Sequence, residues 1–124
     1  MNNWFVRSPF KNRTWQDAVM VGKFTLYGIR NTAARKNISE MMPGDKAIFY
    51  HNKAVHGIME VISEPYQDPT TSDNWLSVDF LPVKTFAKPI TLNQIKQNEQ
   101  LSHTSIIRQP RVSVHRLWAV DFFE

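Results

Sequence analysis

Between Arg30 and Asn37 the chain places three cations (Arg30, Arg35, Lys36) and two carboxamides (Asn31, Asn37) within eight residues. Guanidinium groups grip phosphate in bidentate fashion, and an Asn carboxamide can match the donor and acceptor on the polar edge of a base. A plain structural reading competes, because Asn is a good helix N-cap and an exposed cation can serve a surface ion pair. Arg35 lies one helical turn beyond Asn31 and shares its face, so the two side chains could address one ligand. Cations also gather at Lys11 and Arg13 and from Arg108 to Arg116, while the acids fall mostly between Glu40 and Asp79. That separation implies a basic face, to which the net charge of +4 adds modest support for an anionic partner.

Other chemistry is thinly represented. There are no cysteines, which removes disulfides, thiolate metal sites and Cys nucleophiles. His51 and His56 stand five apart across a hairpin, with His103 and His115 far along the chain, and no HExxH or Cys/His spacing marks a metal site. Ser8, His51 and an Asp could in principle form a hydrolytic triad, but the Gly-x-Ser-x-Gly elbow is absent. No acid pair points to glycosidase or nuclease work. The expectation is a protein that is not an enzyme and needs no cofactor. A base-binding pocket, by contrast, needs a flat aromatic surface and a few polar groups in one plane. Eight Phe, four Trp and three Tyr are available for the first. Ser8, Asn31, Tyr50, His51 and Gln109 can supply the second, with Arg30, Arg35, Arg108 and Arg111 on a backbone. Tyr50 and His51 alternate across a strand, and the preferred arrangement turns Tyr50 into a pocket with His51 at its rim. Trp4 and Trp15 are read as core.

These residues need elements to hold them. Trp4 to Arg7 reads as a strand ended by Ser8-Pro9. Thr14-Trp15-Gln16-Asp17 is a capping box with Asp at its third helical position, opening a short helix. Phe24 to Ile29 is extended, and Asn31 caps a helix through Met42 that Pro43-Gly44-Asp45 stops. Lys46–His51 and Gly57–Ser63 are strands joined through Asn52 to Val55. Residues 65–74 read as loop. Trp75 to Val83 alternates as a strand, with Leu76, Val78 and Phe80 on one side. Thr91 to Gln94 is a second capping box, opening a helix that stops before Asn98. Ser105 to Arg108 is extended or a turn, and Arg111 to Val114 is a last strand. The tail from Leu117 to Phe123 is too apolar to be loose; it either closes the core or docks a partner protein. Short strands with small helices between them imply a small curved sheet or barrel, α+β in class. A length of 124 residues fits one domain, 1–124. No stretch approaches a membrane span and no signal peptide is visible, so a cytoplasmic location, or a nuclear one in a eukaryote, is expected.

These segments resemble the EVE domain, a member of the PUA-like superfamily related to YTH domains. The resemblance rests on Trp4-Phe5-Val6-Arg7-Ser8-Pro9, on Gly28-Ile29-Arg30-Asn31 with Ala34-Arg35 and Asn37, and on Pro43-Gly44-Asp45 and Phe49-Tyr50-His51. It continues through Glu60-Val61, Tyr66-Gln67-Asp68-Pro69-Thr70, Pro89-Ile90-Thr91-Leu92 and Arg108-Gln109-Pro110-Arg111-Val112-Ser113-Val114. It implies a PUA-like curved β-barrel of about five to six strands with short peripheral helices. It further implies that the partner is DNA or RNA carrying a modified base, of 5-methylcytosine type or a modified RNA base, flipped into an aromatic and polar pocket. Residues implied at that pocket or its rim are Ser8, Tyr27, Arg30, Asn31, Arg35, Asn37, Tyr50, His51, Arg108, Gln109 and Arg111. The chain departs from the family pattern in two places. Ser8-Pro9 stands where Ser-Glu-Pro is usual, and Leu26 stands where a Trp, a candidate cage wall, is usual. Tyr27 or Trp75 could provide an aromatic wall instead. A monomer is assumed, and a membrane partner is not expected. The competing reading is a small-molecule binder or small enzyme using the same pocket, which a deep closed pocket without a basic rim would favour.

Overall fold

A computed structural model describes residues 1–99, 101–102 and 104–117. Strand β1 (Asn3–Arg7) is central because it is apolar on both faces: Trp4, Phe5 and Val6 are all buried. It pairs in parallel with β3 (Lys46–His51) and antiparallel with β7 (Val114–Leu117). Beyond β3 come β4 (Ala54–Val61), β6 (Leu76–Thr91) and β2 (Phe24–Leu26), giving the order β2-β6-β4-β3-β1-β7, with β5 (Tyr66–Gln67) added to β6. The result, among the described residues, is a curled, mixed sheet of seven strands forming a half-barrel, α+β in class, as the resemblance implies.

The period of two in each strand divides the core. Trp4, Val6, Leu26, Ala47, Phe49, Val61, Phe80 and Val114, drawn from all six strands of the path, meet on the concave side. There they pack on Trp15 and Ala18 of α1 (Trp15–Val21) and on Ala34 and Ile38 of α2 (Thr32–Ser39). The opposite parity, Phe5, Ile48, Tyr50 and Ile58, packs on Ile95 of α3 (Leu92–Gln97) and Ile106 of α4 (Ser105–Arg108). Trp4 and Trp15 are core residues, and their indole N–H groups donate to Asp45 Oδ2 at 3.1 Å and Thr85 Oγ1 at 2.9 Å.

The caps form as read. Thr14 and Asp17 make a reciprocal box, as do Thr91 and Gln94, and Asn31 Oδ1 accepts the Ala34 N–H at 2.9 Å. Several boundaries differ from the expectations. The β3–β4 connection is only Asn52-Lys53, with φ of 51° and 61°. This is the left-handed pair of a two-residue turn matching strand twist, so β4 starts at Ala54 rather than Gly57. Strand β2 ends at Leu26, not Ile29, because Gly28 (φ 72°) turns the chain toward Asp68, whose Oδ2 accepts its N–H at 2.6 Å. Helix α2 ends at Ser39, three residues short of Met42, where Glu40 bonds back to Asn37 and Ile38. Residues 66–67, read as loop, pair with β6. Strand β6 runs past Val83 to Thr91; its bulged outer half pairs with β4 and tolerates Pro82 and Pro89. Ser105–Arg108 is one helical turn, and the last strand is Val114–Leu117 rather than 111–114. Leu117 is buried, while residues 118–124 of the apolar tail lie outside the described residues.

Candidate nucleic-acid interface

The site begins where β1 and β3 end side by side. The Ser8 N–H donates to the Tyr50 carbonyl at 2.8 Å, continuing the parallel ladder by one step. Beyond Ser8 the chain leaves the sheet through Pro9, which cannot donate to a ladder. The Ser8 hydroxyl, buried, steadies the departing loop with two long bonds of 3.4 Å, donating to Arg13 O and accepting from Phe10 N–H. His51 closes the loop from the other side, its Nε2–H donating to Phe10 O at 2.9 Å.

These strand ends frame a cleft of about 340 Å³. It is lined by Arg7 to Lys11, by Tyr50 to Lys53 of the β3–β4 hairpin, and by Leu92 and Pro110. Its size lies at the lower end of the roughly 300–1,000 Å³ typical of ligand pockets. Among the described residues the charged groups in the lining, Arg7, Lys11 and Lys53, are all cations. Phe10, Tyr50, Leu92 and the two prolines supply apolar wall; Ser8, His51 and Asn52 supply polar groups. The Arg7 guanidinium is fixed across the cleft by donating Nη1–H to Pro110 O at 2.6 Å. Burial raises the Tyr50 phenol above its usual value, opposed by the nearby Arg7 charge, so the hydroxyl stays a neutral donor and acceptor.

The structure thus brings together Ser8, Tyr50 and His51 of the expected set. Tyr50 packs on Phe5, the two rings tilted with centres 5.2 Å apart, and belongs to the cluster that packs on α3 and α4. His51 is no rim residue, being 5% exposed and tied to Phe10 O. Both line the cleft because it wraps round the end of β3 rather than lying on one face. Arg108, Gln109 and Arg111 are exposed and flank Pro110 at its border.

The α2 group stands apart from this cleft's lining. Asn31 spends its side-chain oxygen on the Ala34 cap, and Asn37 Nδ2 donates to Val114 O at 2.7 Å, fastening α2 to β7. The shared face of Asn31 and Arg35 therefore does not converge on one point: Arg35 Nη1 donates to Asn74 O at 3.3 Å. The exposed Arg30 lies over the half-buried Trp75 ring at 5.3 Å, a second basic and aromatic surface. Leu26 is fully buried in the concave core opposite Val78 and forms no part of a cleft wall. Aromatic surface beside the cleft comes from Phe10, on which Tyr27 packs at 4.5 Å.

Arg7, Phe10, Lys11 and Lys53 went unselected in the sequence. Lys11 carried a signal, as a member of the first cation group. Lys53 carried another, since a two-residue hairpin must put it at the tip. Among the described residues no group of three or more His, Cys, Asp or Glu could hold a metal, and His103 lies outside them.

Comparison with known proteins bears on this geometry. Among curated proteins, none matches the chain. Among solved structures, an NMR structure of a Rhodopseudomonas palustris protein matches at 29% identity and a TM-score of 0.88, covering 99% of this chain and 89% of that one. A crystal structure from Agrobacterium tumefaciens matches at 30% identity and 0.86, with 99% and 89% coverage. Human THYN1 in complex with 5-methylcytosine-containing DNA matches at 21% identity and 0.86, covering 99% of this chain and 94% of that one, which speaks for shared fold. The EVE domain family model matches residues 2–123, and the chain therefore belongs to the EVE domain family.

Proposed function

We propose that this chain is a non-catalytic nucleic-acid-binding module that takes up a modified base at the end of β1. The observation that carries the reading is the all-cationic charged lining of an open, aromatic-walled cleft. Arg7, Lys11 and Lys53 hold phosphates there, and Arg108 and Arg111 extend the positive border along the strand. Phe10 and Tyr50 offer apolar surface to base and sugar, and Ser8, Asn52 and the Tyr50 hydroxyl offer polar contacts. Arg30 over Trp75 provides a further contact for a longer nucleic acid. Human THYN1, of the same fold, was solved with 5-methylcytosine DNA, and a yeast YTH domain matching at a TM-score of 0.50 with N6-methyladenosine RNA. These chemistries make 5-methylcytosine in DNA the first ligand to try and a methylated RNA base the second. A metabolite-binding role is disfavoured by the cations around the opening.

The test is fluorescence anisotropy with matched oligonucleotides, unmodified or carrying one 5-methylcytosine, 5-hydroxymethylcytosine or N6-methyladenine, as DNA and as RNA. The reading expects one modified form to bind more tightly than its unmodified match. Absence of binding to every one of them at low salt sinks it.

A further inference from the structure

Beside the cleft three aromatic rings meet in a corner. Phe10 packs on Tyr27 at 4.5 Å and on the buried Phe24 at 6.2 Å. The Arg13 guanidinium covers this corner, its Cζ 4.8 Å from the Phe10 ring centre and 5.4 Å from those of Phe24 and Tyr27. Three rings around one planar group form a cage, and here the chain fills it with its own side chain.

The filling is weakly fastened. Among the described residues Arg13 makes no ion pair within 4 Å, although the charge of Asp17 lies near enough to attract it, and the one hydrogen bond of its guanidinium runs to Thr25 O at a long 3.3 Å. Arg13 itself, Phe10 and Tyr27 are only half-buried, so the cage opens to solvent. Phe10 is shared between cage and cleft. A guanidinium is flat and delocalised and stacks on aromatic faces as a nucleobase does. The ring faces that hold Arg13 also offer a stacking surface to a base, which gains stacking there although it lacks the cation's attraction to the rings.

We infer that Arg13 is a built-in plug of a base-stacking site formed by Phe10, Phe24 and Tyr27. An incoming modified base displaces the guanidinium, which turns out onto a phosphate of the same strand. The inference rests on the modified-base reading above and names the surface that stacks the base. It also gives the module a threshold: a strand without a base able to outcompete Arg13 meets a closed cage and binds through the cleft cations alone.

The experiment follows the Arg13 side-chain resonances of the full chain by NMR. With its Cζ 4.8–5.4 Å from the three ring centres, its δ protons are expected to be shielded in the free protein. On titration with a DNA duplex containing one 5-methylcytosine, that shielding is expected to vanish at saturation. Shielding that persists while other resonances shift shows a bound strand with a fixed Arg13 and overturns the plug alone. No shift at any resonance, with this duplex or an RNA containing N6-methyladenine, overturns the modified-base reading and the plug with it. A second arm uses Arg13→Gln with free 5-methyl-2′-deoxycytidine, which has no phosphate. Opening the cage should tighten nucleoside binding about tenfold, while the salt dependence of duplex binding loses about one phosphate contact. Unchanged or weaker nucleoside binding overturns the plug. Should Arg13→Gln fail to fold, Arg13→Lys is read instead, with a gain of about threefold because a compact ammonium fills the cage less well.

Discussion

Replacing Asp68 by Ala should be among the most damaging single changes to this protein, although Asp68 touches no ligand surface. Its carboxylate is fully buried and accepts bonds from Gly28 N–H at 2.6 Å, Thr70 N–H at 2.8 Å and the Thr70 hydroxyl at 2.6 Å. Burial alone would favour the neutral acid, but these bonds, from Thr70 and Gly28, outweigh it and hold the pKa below the usual 3.8. Hydrogen bonds to a charged group contribute about 1.5–3 kcal/mol each, and an orphaned buried donor costs about 1–3 kcal/mol. Two backbone N–H groups would lose their partner. Allowing for partial rescue by water, the loss should be about 3 kcal/mol. With about 2.1 cal/mol/K of unfolding entropy per residue, this lowers Tm by roughly 10 °C. Urea denaturation at neutral pH checks the magnitude, and a repeat at lower pH checks the mechanism. A depressed carboxylate contributes stability above its unfolded pKa and loses it as pH falls through the folded one. The gap between wild type and Asp68→Ala should therefore be full at pH 6 and narrow as pH drops below 3.8. The consequence reaches the site, because the bond to Gly28 sets the turn that carries Tyr27 and Arg30. A loss under 1 kcal/mol, or a gap that does not change with pH, would refute the reasoning.

Three further outcomes are expected. Charge reversal at Lys11 or Lys53, both exposed, should weaken oligonucleotide binding and flatten its salt dependence while leaving Tm within about 1 °C, as binding isotherms at several salt concentrations and a melting curve would show. Gly57→Ala should destabilise by about 1–3 kcal/mol in urea, because a Cβ there meets the Lys84 carbonyl and the Trp15 ring, and neither backbone nor packed indole yields easily. His115 is held below its usual 6.5 chiefly by burial, so the unfolded chain takes up the proton first. Stability should be full above pH 6.5 and decline as pH falls below it, a decline that His115→Gln should reduce in pH-dependent melting.

The sequence disclosed the elements that depend on local chemistry. Two capping boxes, the Asn31 cap and the limits of β3 follow from side chains bonding to their own neighbourhood. It concealed what depends on distant partners. Nothing near Gly28 says that a carboxylate forty residues away will end β2, and nothing near Lys84 says that β4 will carry β6 on to Thr91. The site shows the same division. Ser8, Tyr50 and His51 were legible through the resemblance and converge on the cleft. Asn31 was legible as a cap, and that cap takes up its side-chain oxygen, whereas the bond that anchors Asn37 to Val114 is one only packing reveals. Phe10 and Arg13 looked ordinary, because a cage made from two loops and a strand has no sequence spacing.

The central claim separates into phosphate attraction and base selection, and one titration series addresses both. Affinity for a methylated duplex and for its unmethylated match is measured across salt concentrations. The account predicts that both affinities fall steeply with salt, in parallel, while a preference of the methylated duplex persists throughout, since cations act on the shared backbone and the aromatic site on the modified base. Equal affinities at every salt concentration, for 5-methylcytosine and for the other modified bases alike, would contradict it.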